Sequence, residues 1–203
     1  MTKSYFSSII LGISVLFLLS FSSASFAAVG CTLNDPDRDV KRIFPESTGY
    51  RTEFITIEER GGEKLQKEIE EKLGEELDPI YEGIDTPYAY YTILKGKEVI
   101  GRVHGINQKG MYGGMQIILA TDLEGKIIDL YYQKLWSPEG PKFRNEDFTE
   151  KFIGMDLDDF FNEDTLKTIE DPSEDSAEDF NATLRGIKKN LILLDIFWGG
   201  DKK

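Results

Sequence analysis

Histidine and cysteine are almost missing from this sequence: there is one of each in 203 residues, His104 and Cys31. A single histidine excludes a multi-histidine metal site. A single cysteine excludes an internal disulfide, so its thiol is either free or modified. No Cys-x-x-Cys, His-Glu-x-x-His, P-loop or nucleophile-elbow pattern occurs, which removes the commonest zinc, phosphate and serine-hydrolase chemistries. Basic residues are also scarce: 24 Lys and Arg stand against 37 Asp and Glu, a formal net charge of −13. Nucleic acid and anionic lipid surfaces repel such a chain, so neither is expected as a partner. No internal repeat or low-complexity tract appears. Adjacent acids such as Glu58-Glu59 and Asp158-Asp159 read as solvated surface, and His104, inside a strand pattern, reads as structural.

The one long apolar run stands at the start. Lys3 supplies a positive n-region, "YFSSIILGISVLFLLSFS" (5–22) an apolar h-region, and small residues follow in "SASFAAVGC". That order predicts a secretory signal over residues 1–30 and an extracytoplasmic, periplasmic or cell-surface protein. As a permanent span the run is marginal, and an uncleaved signal anchor is the competing reading. Val29 and Gly30 before Cys31 resemble a bacterial lipoprotein box, which makes Cys31 a lipidation candidate; ordinary cleavage after Ala27 is the alternative. A lipid or a retained signal would hold the protein at a membrane. Without residues 1–30 the chain keeps 23 basic and 37 acidic groups, a net charge of −14. The remaining length, about 170 residues, suits one domain with its own core.

Residues 31–41 read as a polar tether, and 42–203 as the domain, entered by a helical turn that docks Ile43 and Phe44. "YRTEFITIEE" (50–59) alternates as a strand does, and "EKLQKEIEEKLGEEL" (63–77) carries Leu65, Ile69, Leu73 and Leu77 on one helical stripe. Four further strands are predicted at 88–95, 97–107, 113–122 and 125–135, joined by glycine-bearing turns. Short turns between successive strands imply an antiparallel meander of about five strands, and the flanking helices make the class α+β. "SPEGPKF" (137–143) is a Pro/Gly-bracketed loop, and 145–171 is acidic with short helices. The last element, 176–198, is an amphipathic helix whose Phe180, Leu184, Ile187, Leu191, Leu194 and Trp198 would pack on the sheet. Ser176 and Asp179 at its start resemble a capping box.

No catalytic constellation emerges, so whether the protein is an enzyme stays open. What remains is a glycine-bracketed sheet with aromatic neighbours. Gly101, Gly105, Gly110, Gly113 and Gly114 would let backbone approach a flat ligand. Tyr112, Tyr131, Tyr132 and Trp136 would stack on a ring, or else simply pack the sheet.

The order of these parts carries a resemblance. "RIFPE" (42–46), the strand "EVIGRVHGIN", "GMYGGMQIILATDLEGKIIDLYYQK", a Pro/Gly loop and "FTEKFIGM" together resemble the FMN-binding domain family. That family includes flavin-bearing periplasmic subunits of Rnf-type electron-transport complexes and of sodium-translocating quinone reductases. The similarity spans roughly 42–198 and is best over 98–154. It implies an extracytoplasmic electron-transfer flavoprotein with a redox partner protein. Family members set a Thr-Pro-Gly-type loop against the isoalloxazine, and Ser137, Pro138, Glu139 and Gly140 stand at that place. Covalent members attach the FMN phosphate to the last threonine of Asp-x-x-Ser-Gly-Ala-Thr. The matching stretch "AEDFNAT" keeps Ala182 and Thr183 but has Ala177, Phe180 and Asn181 in place of Asp, Ser and Gly. A helix that begins at Ser176 also puts Thr183 about two turns inside, where no free amide remains for a phosphate. The expectation is therefore non-covalent FMN between the Tyr112-Gly113-Gly114 turn and the 137–143 loop, with its phosphate near Lys142, Arg185 or a helix start. A flavin-free lipoprotein of the same fold, binding a protein or a small ligand, is the alternative.

Overall fold

The computed structural model describes residues 31–198, so the signal segment 1–30 and its cleavage lie outside the described residues. Five strands run in the order β1 (Gly49–Ile55), β2 (Tyr88–Lys95), β3 (Glu98–Gly110), β4 (Gly113–Thr121) and β5 (Ile127–Lys134). Every neighbour pair is antiparallel, the meander that short connections allow. The class is α+β, as expected. Helices α1 (Pro36–Ile43), α2 (Ile57–Arg60) and α3 (Gly62–Leu73) precede β2. Three short ones, α4 (Gly140–Phe143), α5 (Glu146–Thr149) and α6 (Glu163–Leu166), follow β5, and α7 (Ala177–Trp198) is the last element of the described residues.

Local chemistry moves two predicted boundaries. The first strand stops at Ile55 because Thr56 caps α2: its hydroxyl accepts the Glu59 N–H while the Glu59 carboxylate accepts the Thr56 N–H. The helix expected to reach Leu77 ends at Leu73, where Gly74 takes the left-handed conformation at φ 85° and hands its N–H to the Glu70 carbonyl. Leu77 is buried nonetheless, as part of the loop that follows.

Strand alternation sorts side chains onto two faces, and both are covered. Tyr88, Tyr90, His104, Ile106, Met115, Ile117, Leu119, Leu130 and Tyr132 face one core, roofed by α3, α7 and the phenylalanine-rich 143–160 segment. Ala89, Tyr91, Ile93, Val103, Ile118 and Ala120 face a second, smaller cluster closed by Cys31, Leu33, Val40 and Phe44. Burial on both faces explains why β2 and β4 read as nearly continuous apolar runs rather than strict alternation.

The helix α7 sits on the sheet differently from the apolar stripe that 176–198 displays. Its sheet-facing line is Thr183, Gly186 and Asn190, small or polar residues that let the backbones approach. A Cβ added at Gly186 would lie 2.6 Å from Ile117 Cδ1. Ile187 and Leu191 are fully buried, whereas Phe180, Leu184 and Trp198 lie partly exposed at the flanks, with Phe180 turned toward Phe148. The helix is covered on several sides, so a one-face reading of its pattern understates its burial.

The segment expected as a polar tether, 31–41, instead lies on the sheet. The Leu33 N–H donates to the Tyr91 hydroxyl (3.1 Å), and Gln133 Nε2 donates to the Thr32 carbonyl (2.7 Å). α1 follows, capped by Asp35. Apolar Leu33 and Val40, spaced among the polar residues, provide the docking surface that an average over the segment conceals.

Candidate functional site

The tip of the β3–β4 hairpin is built from a two-residue turn, Met111-Tyr112, between the paired Gly110 and Gly113. Gly113 has φ 130°, a conformation that L side chains rarely adopt. The Met111 N–H donates to Asp179 Oδ1 at 2.7 Å, which fixes the tip to the first turn of α7. Asp179 therefore closes no capping box with Ser176. Gly113 lies beside Trp136, and Gly114 lies against the Tyr81 ring, where a Cβ would come within 3.0 Å. Tyr112 and Trp136 are 47% and 60% exposed, and Met111 is exposed beside them. Lys134 places its ammonium 5.6 Å from the Trp136 ring centre. Lys109, just before the tip, is exposed as well. Of the predicted site residues, Tyr112, Gly113 and Gly114 thus come together, and Trp136 joins them.

The 137–143 loop turns its polar groups toward its own chain. The Glu139 carboxylate accepts the N–H groups of Glu174 and Asp175 at 3.0–3.1 Å and receives Lys142 Nζ at 2.7 Å. Lys142, followed by those two amides, holds the Glu139 carboxyl down to about 2, well below the usual carboxylate range. Lys142 also bridges to Glu174 at 2.9 Å. Pro138 is exposed, Gly140 is buried at the start of α4, and the Ser137 hydroxyl is buried with no hydrogen-bond partner among the described residues.

The remaining two predicted residues are engaged elsewhere. Thr183 is 0% exposed, deep in the core, and accepts the Tyr132 hydroxyl at 3.0 Å. Burial raises the Tyr132 phenol well above its ordinary range, so it stays protonated and donates. Arg185 spreads its guanidinium over Glu82 (2.7 Å), Gln108 (2.8 Å), Glu75 (2.9 Å) and the Glu76 carbonyl (3.1 Å). Fully buried Lys189 joins the same carboxylate and also donates to the Asn107 carbonyl at 2.8 Å. Burial alone would raise the Glu82 carboxyl, but Lys189 and Arg185 outweigh it and hold it below the ordinary value. This Glu82–Arg185–Lys189–Gln108 network was not legible in the sequence. Its one signal was Lys189, a cation that helical spacing sets one turn from Gly186 and one turn from Leu193.

These positions do not fit a flavin phosphate. The hydroxyl that would carry a phosphoester is enclosed, and both predicted cations already hold carboxylates. Glu139, Glu174 and Asp175 crowd the start of α7, where a phosphate dianion would meet like charge. A cleft of about 250 Å³ exists between Arg102, Leu123, Asp156, Leu194 and Trp198, but it shares no lining residue with the predicted site.

His104 is structural here. Its Nδ1 lies 2.6 Å from Asn190 Oδ1 and its ring stacks on Tyr90 at 4.1 Å. Burial pushes the imidazole down to about 3 and keeps it neutral. Among the described residues no group of His, Cys, Asp and Glu is arranged to hold a metal ion. Cys31, the lipidation candidate, is 1% exposed with Sγ directed at Gly105, where a Cβ would come within 2.9 Å. Burial pushes its thiol up to about 12. A thioether-linked lipid has no room there unless residues 31–33 leave the sheet. Comparison with known families finds no family model that matches this chain, and comparison with curated proteins finds no match.

Proposed function

We propose that this protein is an exported, membrane-associated binding module that works without flavin and engages a protein partner bearing carboxylates. The observation that carries the reading is the hairpin corner. Met111, Tyr112 and Trp136 are exposed together, with Lys109 and Lys134 beside them on a chain of net charge −13. Exposed aromatic and methionine side chains are the usual anchors of protein interfaces, with lysine at the rim giving specificity and steering. Neither lysine has a carboxylate partner among the described residues, so both charges are available to a partner. Asp179 and the paired glycines hold the turn in one shape, which lowers the ordering cost of binding.

The flavin-dependent electron-transfer reading predicts yellow protein, and the reading proposed here predicts the opposite. Protein isolated from its own extracytoplasmic compartment should be colourless, show no flavin band in the visible, and remain so after dialysis against excess FMN. A photo-crosslinking residue placed at Tyr112 should trap one discrete protein, and Trp136→Ala should abolish that adduct while leaving the fold intact. Yellow protein, or FMN retained through gel filtration, would restore the flavin reading and overturn this one.

A further inference from the structure

The outer edge of β1 is the second open surface, and its side chains specify an occupant. β1 closes one side of the sheet, five of its seven residues are exposed, and Phe54 is 56% exposed. A strand edge presents unpaired N–H and C=O groups to any extended chain. Monomeric proteins usually blunt such edges with proline, lysine, a bulge or an inward charge. β1 ("GYRTEFI") has no proline and no lysine, its two charges, Arg51 and Glu53, are of opposite sign, and its register with β2 runs unbroken from Gly49 to Ile55.

Alternation places Tyr50, Thr52 and Phe54 on one face of the strand, and Arg51 and Glu53 on the other. Neither Arg51 nor Glu53 forms an ion pair among the described residues. An antiparallel two-fold centred on Thr52 sets Arg51 opposite Glu53 of the second copy, and does so twice. It also sets Tyr50 opposite Phe54 twice, covering the exposed ring. Tyr50 is already oriented by its hydroxyl bond to Asp37 (2.8 Å) and its edge contact with Tyr91. Shifting the centre by one residue places Arg51 on Arg51 or Glu53 on Glu53. Parallel in-register pairing does both. Like charges directly opposite disfavour each of those arrangements, so the charges select one register.

We infer that a second copy of this chain pairs along β1, joining two five-stranded sheets into one ten-stranded sheet across an isologous two-fold interface. A single strand pair buries little area, so the dimer is weak and concentration-dependent. The test uses the complete protein in its own membranes. Thr52→Cys stands opposite itself in this register, at a Cα separation of about 4.5–5.5 Å, which a disulfide spans. Mild oxidation should therefore yield a cross-linked homodimer. Arg51→Glu in that background should cut the yield about tenfold, and adding Glu53→Arg should bring it back. All the substituted positions are exposed, and circular dichroism confirms that each variant folds. No 52–52 dimer, a yield indifferent to Arg51→Glu, or a charge swap that fails to restore it would each overturn the inference.

Discussion

The face of the sheet beneath α7 holds His104, Gln108, Thr183, Lys189 and Asn190 in its interior, whereas the face beneath residues 31–44 is closed mainly by Leu33, Val40, Phe44, Ile93, Val103 and Ile118. The difference follows from what covers each face. A long helix that crosses close to the sheet at Gly186 brings polar groups within bonding distance of β3, and every charge there finds a partner. A short segment carried in from the N-terminal side offers apolar side chains in the middle and polar contacts at its margin: Leu33 N–H to the Tyr91 hydroxyl, Gln133 to the Thr32 carbonyl, the Tyr131 hydroxyl to Asp39, and Arg42 to Asp129. The first face is committed, because removing one member strands another in the core. The second face is separable only at its leading end: residues 31–34 can lift without exposing a charge, while buried Asp39 with Tyr131 and Arg42 with Asp129 hold α1 on the sheet.

Breaking the committed face should have the largest effect. Glu82→Ala leaves Lys189 and part of Arg185 without their carboxylate, and should cost about 3–5 kcal/mol in urea denaturation. Replacing the pair together, Glu82→Leu with Lys189→Met, should recover most of that loss, since both desolvation penalties then vanish.

Acid sharpens the same contrast. His104 is neutral in the fold with its pKa lowered to about 3, so below the unfolded value near 6.5 the unfolded chain binds a proton that the folded chain refuses. Stability is complete above about pH 6.5 and falls as pH drops toward 3. Between pH 6.5 and 5 the loss should reach about 2 kcal/mol, and it should be absent in His104→Gln, read as the slope of stability against pH. Glu139 adds to the loss only at lower pH, because its folded value of about 2 lies below the ordinary carboxylate range.

The separable face should give the smallest effect. Tyr91→Phe removes the acceptor of the Leu33 N–H and should cost about 1 kcal/mol. Its clearer readout is local: the Cys31 thiol should react with a maleimide several-fold faster while denaturation midpoints barely move. Equal protection of Cys31 in both proteins would show that the cover does not lift independently.

The strands and the last helix were legible because turn residues and side-chain alternation are local signals. β2 to β5 follow one another through tight turns, and glycine marks most of them. The hairpin half of the candidate site was legible for the same reason, since Tyr112, Gly113 and Gly114 are neighbours in sequence. Lys142 and Arg185 were expected beside a flavin phosphate and Thr183 was counted among the cofactor-binding residues, but each is engaged by a residue remote in the chain, Lys142 by Glu174 in addition to neighbouring Glu139. Tyr132 lies 51 positions from Thr183, Glu174 lies 32 from Lys142, and Glu82 lies 103 from Arg185. Such pairings leave no periodic trace, and in an acidic chain each cation has many possible partners.

By itself the sequence determined the five-strand antiparallel meander, the α+β class, the glycine-flanked turn at Tyr112 and the acidic net charge. These depend on backbone propensity, alternation and net charge, which act over short stretches or over the whole chain at once. Tertiary structure alone decided that residues 31–41 pack rather than tether, that α7 meets the sheet through Thr183, Gly186 and Asn190, and that Arg185 and Lys142 are spent on carboxylates. Those outcomes depend on which of many compatible surfaces meet. Close packing and the cost of leaving a buried charge unpaired settle that choice only when the whole chain is assembled.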